Sequence, residues 1–540
     1  MLQDIEHQDS GRTLTVGRVL QQVDAFVMAR NRIGGGGLSC CEILGSVNAT
    51  LLGESCDHVL RNLAAVKGIA ALAGDAAQHF GLTRCAEDFA HARQASIDQI
   101  CVAGAALQGA GVIPPVKGHT RRDGHAFLGA ARRAGCAGAV AERVPPGWDR
   151  GFIRVRDTGR ALWDLGRHAA ESFPGPVVGL TGSCGKTTTR ELAVLGLGGR
   201  AGGVHATRGN QNNHLGVPIT LLEAPPDARV LLLEMGMSAP GELARLEALA
   251  RPDVRVVTNV RPAHLEGCGS LAGVAEAKAE LVVSAGPGDT VVLNADDPRV
   301  DAMAARTAAR VVRFGSGARS DVQLLGVRPC GPGGLWTAVS LVDRRGGAPA
   351  VEAVIPSPGA HLGSCAAAAA AVAVALGGPV DDVWAARLRA YVPEGMRMLR
   401  EEGPGGITVL NDAYNSSPAS CASALESLAA LPCLGKRVVL LGDMLELGPE
   451  AKRYHEEALG LARRAVGAGG VVGVTGPTFG SVYQARAGGA GGALWAETPG
   501  GLAEAVAGDL GPGDVVLVKG SRGQRMEAAV SMLLGEGGPT

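Results

Sequence analysis

The chain of 540 residues is long enough for three or four domains of about 150 residues each. Its 51 basic and 52 acidic residues nearly cancel, so no overall positive field would attract nucleic acid or an anionic membrane surface. Hydrophobic residues make up 46%, which excludes a disordered chain, and aromatic residues make up 3%, which argues against platforms for stacked bases. The 81 glycines are about twice the usual share but show no three-residue period, which excludes collagen.

Three features bear on the cellular compartment. Residues 1–7 lack the basic-then-apolar layout of a signal peptide. The longest uncharged run of small residues, 365–376, is shorter than the roughly 20 residues of a membrane helix. The 12 cysteines form no CxxC pairs, a pattern typical of reduced thiols rather than of a zinc site or a disulfide framework. We therefore expect a cytoplasmic protein that does not insert into membranes.

The first part of the chain, residues 1–95, carries no motif with recognisable chemistry. Residues 58–80 have apolar positions at helical spacing, which predicts an amphipathic helix. We treat residues 1–95 as a leader of unknown role.

From about residue 150 onward, short apolar stretches bounded by glycine or proline alternate with helix-length segments such as 241–250 and 271–283. This alternation predicts an α/β fold, in which parallel sheets carry helices on both faces. Glycine- and proline-rich breaks predict domains that span residues 96–175, 176–380 and 381–540. The predicted strands are 177–180, 230–233, 255–258, 290–293, 438–441 and 515–518.

The strongest motif is TGSCGKTTT at residues 181–189, directly after the strand predicted at 177–180. A strand that turns through small residues into a helix points backbone N–H groups and the helix dipole at an anion. Lys186 can reach terminal phosphates, and the Thr187 hydroxyl can bind magnesium. An ordinary GxxxxGK[ST] loop has its first glycine at position 180, where this chain has Leu180. The predicted ATP site comprises Thr181, Gly182, Ser183, Cys184, Gly185, Lys186, Thr187 and Thr188.

This shifted loop resembles that of the Mur ligases, the ATP-dependent amide-forming enzymes of peptidoglycan synthesis. Further segments follow in the family's order and are similar to one branch, which adds D-alanyl-D-alanine to UDP-N-acetylmuramoyl-tripeptide. They are TRGNQNNHLGVP at 207–218, LLLEMG at 231–236, NDAYNSSP at 411–418, LGDMLELG at 441–448 and VKGSR at 518–522. The resemblance covers about residues 115–530. It implies a three-domain architecture: a nucleotide-sugar-binding N-terminal domain, a central P-loop parallel sheet and a C-terminal Rossmann-like domain.

The resemblance also implies ATP and two magnesium ions as cofactors, with Lys186, Glu234, His264 and Lys278 in catalytic roles. Glu234 ends an apolar strand, at the sheet edge where α/β proteins bind ligands, and is predicted to bind magnesium beside Thr187. His264 matches a histidine that binds a second magnesium in the family. Lys278 matches a lysine that is often carbamylated, and a carbamate would turn this cation into a carboxylate-like metal ligand. Helical periodicity alone predicts only a solvated lysine at that position.

Three further residues are implied in nucleotide binding. Asn294 matches an asparagine near the adenine, Arg397 an arginine that reaches ATP from the third domain, and Asp412 an acid that binds the ribose. The residues alone also allow turn formation for Asn294 and Asp412 and a surface position for Arg397.

The implied substrate residues are Lys117, Asp123, Gly124, His125, Asn210, Asn213, Tyr414, Asn415, Lys519 and Ser521. Lys519 and Ser521, together with Arg522, could instead cap the last helix. The family's DSR motif should precede Lys117, but residues 96–100, SIDQI, lack the arginine.

The expected substrates are UDP-N-acetylmuramoyl-tripeptide and D-alanyl-D-alanine, joined through an acyl phosphate. The protein is expected to be monomeric and to bind no nucleic acid. The third peptide residue, lysine or diaminopimelate, is open. Two alternatives remain. One is a ligase of the same fold that joins another acid and amine, such as a folylpolyglutamate-type or cyanophycin-type enzyme, although segments 207–218 and 411–418 argue against it. The other is a non-catalytic relative with a degenerate substrate domain.

Overall fold

The computed structural model describes residues 5–9, 12–15, 124–133, 138–149, 151–485 and 493–536. The chain divides into two compact units. The first comprises residues 1–173 and 214–227, and the second comprises residues 174–213 and 228–540.

The strands of the described residues form three sheets. In chain order they are β1 (Ile5–Asp9), β2 (Arg12–Thr15), β3 (Gly138–Ala141), β4 (Gly151–Val155), β5 (Val177–Thr181), β6 (Val204–Ala206), β7 (Val230–Glu234), β8 (Val254–Val257), β9 (Thr290–Asn294), β10 (Arg310–Gly315), β11 (Val322–Cys330), β12 (Trp336–Asp343), β13 (Val351–Ile355), β14 (Leu399–Gly403), β15 (Ile407–Asp412), β16 (Arg437–Gly442), β17 (Val471–Thr475), β18 (Ala493–Ala496) and β19 (Val515–Lys519).

Helices connect and cover these strands. In chain order the α-helices are α1 (Leu128–Arg133), α2 (Thr158–Ser172), α3 (Lys186–Gly196), α4 (Gly216–Leu222), α5 (Glu242–Ala250), α6 (Leu265–Cys268), α7 (Leu271–Val283), α8 (Pro298–Asp301), α9 (His361–Ala375), α10 (Asp382–Arg387), α11 (Pro418–Ala430), α12 (Ala451–Val466), α13 (Pro477–Ala485), α14 (Pro499–Ala507) and α15 (Glu527–Leu533). No described helix combines the length and the hydropathy that a membrane crossing requires.

The first unit holds a four-stranded sheet of order β2-β1-β4-β3. Helix α2 begins at an N-cap, Asp157, whose carboxylate accepts a hydrogen bond from the Arg160 N–H at 2.9 Å. It packs closely on α4, since a Cβ on Gly166 would lie 2.7 Å from the Pro218 Cβ. Strands β1 and β2 belong to the region predicted as a separate leader, and β1 pairs with β4 in antiparallel register. Two strands of this sheet thus come from the predicted leader, and the start of the first domain at residue 96 stays a prediction. The helix predicted at 58–80 lies outside the described residues.

The second unit is built on a nine-stranded sheet of order β13-β12-β11-β10-β9-β8-β5-β7-β6. Strands β5 to β11 pair in parallel, whereas β11, β12 and β13 pair antiparallel. The four strands predicted in this region are confirmed, with ends that differ by one residue. Their apolar runs are buried because helices cover the sheet. The alanine-rich α9 is buried along most of its length, and its small side chains let it lie close to α3.

A six-stranded sheet of order β14-β15-β19-β16-β17-β18 completes the second unit. It is parallel except for the edge strand β14, and it confirms the strands predicted at 438–441 and 515–518. One buried apolar cluster contains Val257 and Leu293 of the nine-stranded sheet together with Leu410 and Leu441 of the six-stranded sheet. The predicted central and C-terminal regions therefore share a core, and their boundaries at 176, 380 and 381 stay predictions.

Candidate functional site

The nucleotide loop predicted from the sequence connects β5, which ends at Thr181, to α3, which begins at Lys186. Its shape requires glycine at two positions. Gly185 has a φ of 77°, in the left-handed region that side chains disfavour. A Cβ on Gly182 would lie 1.8 Å from the Thr258 Oγ1, so a larger residue could not fit there. The loop therefore brings the N-terminus of α3 to the carboxyl edge of the sheet, where backbone N–H groups can meet an anion.

Polar side chains after β8 hold this loop in place. The Asn259 Oδ1 accepts a hydrogen bond from the Cys184 N–H at 3.0 Å, and its Nδ2 donates to the Cys184 carbonyl at 3.0 Å. The Ser183 hydroxyl donates to the Arg261 carbonyl at 3.0 Å and accepts from the Arg261 N–H at 2.9 Å. These four bonds fix the loop before any ligand arrives, which lowers the cost of ordering it on binding.

Lys186 is held by its own loop. Its Nζ donates a hydrogen bond to the Gly182 carbonyl at 2.8 Å. Burial lowers the pKa of Lys186 below its ordinary value, while the carboxylate of Glu234 opposes that shift. The hydrogen bond to Gly182 holds the Nζ at the loop, where it can face the phosphates of a nucleotide.

Glu234 lies at the end of β7 with 2% of its surface exposed, beside the loop because β7 is the neighbour of β5. Its Oε2 accepts a hydrogen bond from the Thr187 Oγ1 at 2.9 Å and lies 3.3 Å from an Arg190 guanidinium nitrogen. Its Oε1 accepts from the Asn212 Nδ2 at 2.8 Å. The buried carboxyl oxygens of Glu234 are therefore both hydrogen-bonded at the loop, as a buried polar group requires.

This pair of oxygens fits magnesium. The Thr187 hydroxyl and the Glu234 carboxylate are hard oxygen ligands in direct contact, and Mg²⁺ commonly takes one or two protein oxygens together with phosphates and water. Within the described part of the chain, no group of three or more His, Cys, Asp or Glu side chains could hold a metal ion. The donor set therefore suits a metal that is shared with a nucleotide rather than one enclosed by the protein.

Among the described residues, the hydrogen bond and ion pair of His264 go to Glu446 rather than to Glu234 or Lys278. Its Nδ1 lies 2.5 Å from the Glu446 Oε2, and this hydrogen bond lowers the pKa of Glu446. Both residues have positive φ, 55° for His264 and 62° for Glu446. Because Glu446 lies in the LGDMLELG segment after β16, the contact joins the two sheets of the second unit.

Lys278 lies on α7 with 1% of its surface exposed. Among the ion pairs of the described residues, none includes Lys278. Burial, reinforced by the charge of Lys186, lowers the pKa of Lys278 to about 7. A substantial share of this amine is therefore neutral near pH 7, and only the neutral amine can react with carbon dioxide to form a carbamate.

Arg397 and Tyr414 lie together on the C-terminal side of the site. The Arg397 guanidinium carbon lies 3.9 Å from the centre of the Tyr414 ring, a cation–π contact. The charge of Arg397 contributes to the lowered pKa of Lys186, so both cations act on the same region.

The other residues implied in nucleotide or carboxylate binding are engaged by the protein itself. The Asp412 Oδ2 accepts from the Lys519 Nζ at 2.7 Å, and this ammonium also donates to the Asn415 carbonyl at 2.9 Å. The Ser521 hydroxyl donates to the Ser416 carbonyl at 3.1 Å. These contacts join the ends of β15 and β19, which lie side by side.

One residue matches the structural alternative that the sequence left open. The Asn294 Nδ2 donates to the Thr258 carbonyl at 2.7 Å, and its Oδ1 accepts from the Asp296 N–H at 2.9 Å, as in turn formation. The Arg522 guanidinium lies 2.8 Å from the Glu527 carboxylate in the first turn of α15, but this helix has no side-chain cap hydrogen bond, so the structure does not support capping by Arg522.

The predicted substrate residues are only partly described. Lys117 and Asp123 lie outside the described residues. Gly124 and His125 lie in a short 3₁₀ helix of the first unit, where the His125 Nε2 accepts a hydrogen bond from the Arg143 N–H at 3.1 Å. The Asn210 carbonyl accepts from the Asn212 N–H at 2.7 Å. No contact that the structure gives for Asn213 assigns it a role.

Sequence reasoning missed four residues of this site. Asn212 contacts Glu234, although the prediction had named its neighbours Asn210 and Asn213. Arg190 also contacts Glu234, and its place one helical turn after Lys186 is a signal that could have found it. Glu394 and Glu446 reach the central region from the C-terminal one, and no local pattern indicates this.

Comparisons with known proteins agree with this geometry. Residues 180–373 match the Mur ligase middle domain, and residues 396–522 match the Mur ligase, glutamate ligase domain. The UDP-N-acetylmuramoyl-tripeptide–D-alanyl-D-alanine ligase of Bacillus subtilis (strain 168) is 36% identical over 64% of this chain and 72% of its own length. The enzyme of the same name from Escherichia coli (strain K12) is 34% identical over 64% of this chain and 75% of its own length.

Solved structures give the same result. MurF from Acinetobacter baumannii is 25% identical with a TM-score of 0.66, and the match covers 77% of this chain and 89% of that one. The MurF ligase from Thermotoga maritima in complex with ADP is 29% identical with a TM-score of 0.64, over 77% of this chain and 93% of that one. A folylpolyglutamate synthase from Mycobacterium tuberculosis, at 18% identity and a TM-score of 0.53, shares the fold alone. With matching family domains on both sides of the site and relatives above 30% identity over most of their length, the chain belongs to the Mur ligase family.

Proposed function

We propose that the chain is an ATP-dependent ligase that forms the amide bond between UDP-N-acetylmuramoyl-tripeptide and D-alanyl-D-alanine. Relatives that bear the name of this activity are 36% and 34% identical to the chain over 348 and 349 aligned residues. The use of ATP is supported above all by the nucleotide loop, where the Thr187 hydroxyl is hydrogen-bonded to the Glu234 carboxylate. A similar protein was solved in complex with ADP.

The reaction has two steps in this proposal. The carboxylate of the tripeptide's last residue attacks the γ-phosphorus of ATP, which gives an acyl phosphate and ADP. The amine of D-alanyl-D-alanine then attacks the acyl carbon, and the tetrahedral intermediate collapses to the amide and phosphate. Lys186 and the N–H groups of the loop offset the charge on the transferring phosphoryl group. Their fixed positions mean that little reorganisation is needed during the transfer.

Magnesium would supply further positive charge at the phosphoryl group. One ion would be held by Thr187 and Glu234, whose oxygens are already in contact. For a second ion the proposed ligands are His264 and a carbamylated Lys278. The lowered pKa of Lys278 supports the carbamate, and His264 would bind the metal through Nε2, since its Nδ1 is hydrogen-bonded to Glu446.

We propose Asn294, Arg397 and Asp412 as nucleotide contacts. Arg397 has the strongest support, since its charge already acts on Lys186. Asp412 would bind a ribose hydroxyl with the lone pairs that Lys519 and the Met398 N–H leave available on its two oxygens. Because Arg397 lies in the segment before β14 and Lys186 on the nucleotide loop, docking of the C-terminal region completes the site and excludes water.

We also propose the remaining substrate residues, the cytoplasmic location and the monomeric state, all of which rest on the family resemblance alone. Those on the second unit are Asn210, Asn213, Tyr414, Asn415, Lys519 and Ser521. Those predicted for the nucleotide sugar are Lys117, Asp123, Gly124 and His125.

The test is ATP hydrolysis by the purified protein, measured as phosphate release with each substrate alone and with both together. The proposed function predicts release only when UDP-N-acetylmuramoyl-tripeptide and D-alanyl-D-alanine are both present. Tripeptides that end in lysine and in diaminopimelate are assayed separately. ADP binding without turnover on either tripeptide would favour a ligase for another acid and amine. Absence of both ADP binding and turnover would favour a non-catalytic relative.

A further inference from the structure

Arg190 is a fully buried cation on the helix that follows the nucleotide loop, with 0% of its surface exposed. It lies four residues after Lys186, so the two side chains share a face of α3. A buried guanidinium is tolerated only when anions or carbonyls surround it. Its position therefore depends on its partners.

Three carboxylates and one carbonyl surround this guanidinium. Glu191 lies 2.5 Å from its Nη2, Glu234 lies 3.3 Å from its Nη1, and the Gly209 carbonyl accepts from the Nη1 at 3.2 Å. The third carboxylate, Glu394, pairs with the Nη2. Although burial by itself would lower it, these carboxylates together raise the pKa of Arg190 above its ordinary value. The guanidinium is thus a permanent charge shared among them.

The three carboxylates come from different parts of the second unit. Glu191 is the next residue on α3, and Glu234 is the acid at the nucleotide loop. Only Glu394 comes from the far side of α10, in the segment that leads into β14 of the six-stranded sheet. The Arg190–Glu394 pair therefore links the nucleotide-loop helix to the C-terminal region.

Glu394 also contacts the arginine proposed to reach ATP. Its Oε2 lies 3.8 Å from the Arg397 Nη1, and the Arg397 guanidinium in turn lies over the Tyr414 ring. In the same segment, Met396 and Met398 have φ of 52° and 54°, a conformation that costs free energy and persists only where the surroundings impose it. Contacts at both ends impose it here, since the Met398 N–H donates to the Asp412 Oδ1 at 3.2 Å.

We propose that Glu394 is a positioning residue, which uses Arg190 as its anchor to hold Arg397 at the nucleotide site. The inference rests on the proposed ATP-dependent function and deepens it. Glu394 touches no reacting atom in this proposal and acts through Arg397. Its loss leaves the buried Arg190 still paired with Glu191 and Glu234, so the fold survives while the docked segment loosens.

The chain offers a matched control. The side chains of Glu191 and Glu394 are each 32% exposed, and both pair with the Arg190 Nη2. Glu191→Gln and Glu394→Gln therefore remove the same charge from the same guanidinium, and only the second variant breaks the link to the C-terminal region.

The experiment measures the ADP dissociation constant by calorimetry, the KM for ATP, kcat and the melting temperature of both variants. We expect Glu394→Gln to weaken ADP binding and to raise the KM for ATP by about tenfold, a coupling within the range for residues in one charge network. We expect Glu191→Gln to stay within about twofold of the wild type, because Glu191 and Arg190 are neighbours on α3 and their pair does not hold the segment that carries Arg397. Both variants should melt at the wild-type temperature. Equal effects of the two variants, or a Glu394→Gln effect confined to the melting temperature, would overturn the proposal.

A second measurement tests whether Glu394 acts through Arg397. In an Arg397→Ala background, Glu394→Gln should weaken ADP binding no further, because the group that it positions is gone. A full additional loss in that background would show that Glu394 acts independently and would overturn the proposal. A wild-type chain that binds ADP but ligates nothing would refute the proposed reaction, and the ADP comparison would still decide the role of Glu394. Absence of ADP binding would refute both.

Discussion

Replacement of Lys278 by methionine should stabilise the protein and inactivate it. The amine lies on α7 with 1% of its surface exposed, and burial together with the charge of Lys186 lowers its pKa to about 7. Methionine has a similar length and no charge, so it can occupy the same volume without the desolvation cost. A gain in stability would then measure what burial of the Lys278 amine costs the fold, and a loss of activity would show that the reaction needs this amine.

The size of the gain follows from the pKa. A fall from 10.5 to about 7 costs the folded protein about 4 kcal/mol at pH 7, because the unfolded chain lets the amine keep its proton. The folded pKa lies below the unfolded one, so the unfolded state binds more protons between pH 7 and 10.5. The cost is therefore fully present below pH 7, falls to about 2 kcal/mol at pH 9, and disappears above 10.5.

The assay is urea unfolding of wild type and Lys278→Met at pH 7 and pH 9, in buffers depleted of carbon dioxide so that no carbamate forms. We expect the variant to be more stable by up to about 4 kcal/mol at pH 7, with the difference halved at pH 9. Ligase activity should be lost, and the shorter Lys278→Ala variant should recover part of it with added short-chain carboxylic acids, which replace the carbamate. A stability difference that does not change with pH, or full activity of either variant without additives, would refute this reasoning.

Three further changes test other parts of the structure. Lys186→Ala should lower kcat at least tenfold without changing the melting temperature, since within the described residues the Nζ hydrogen-bonds the Gly182 carbonyl of its own loop and no other element. A loss under about 1.4 kcal/mol would contradict its role at the phosphates. Gly182→Ala should abolish ADP binding measured by calorimetry, because its Cβ would lie 1.8 Å from the Thr258 Oγ1; unchanged affinity would show that the loop adapts. Removal of residues 1–95 takes β1 and β2 from the sheet of the first unit, so the KM for the nucleotide sugar should rise while the ADP affinity stays within about twofold. A weakened ADP affinity would show that the leader supports the nucleotide site.

Much of the second unit could be predicted from sequence because its elements are local. Residues 271–283 were predicted as a helix and form one with those limits. Both faces of the parallel sheet are buried, so each of its strands is a continuous run of apolar residues. Such a run can be identified without knowing which strands lie beside it. The acid at position 234 was found because it ends such a run, and Thr187 because it follows a contiguous loop motif.

The strands of residues 1–15 could not be predicted from local sequence patterns. Strand β1 pairs Ile5 with Val155 and Glu6 with Arg154, partners that are 150 and 148 positions apart in the chain. Residues 1–15 carry no alternation long enough to predict two strands. Which of three neighbouring asparagines faces Glu234 was also undecidable, because the turns of that loop, rather than the residue type, aim the Asn212 amide.

The sequence by itself determined the α/β class, the nucleotide loop and the acid beside it, because each follows from residues adjacent in the chain and from the alternation of strand and helix. Only the tertiary structure decided how the two sheets of the second unit meet. Arg190 and Glu394 are 204 residues apart, and His264 and Glu446 are 182 apart, so no local pattern could pair them. It also decided the state of Lys278: helical periodicity predicts a solvated lysine, whereas packing buries it beside another cation and lowers its pKa to about 7.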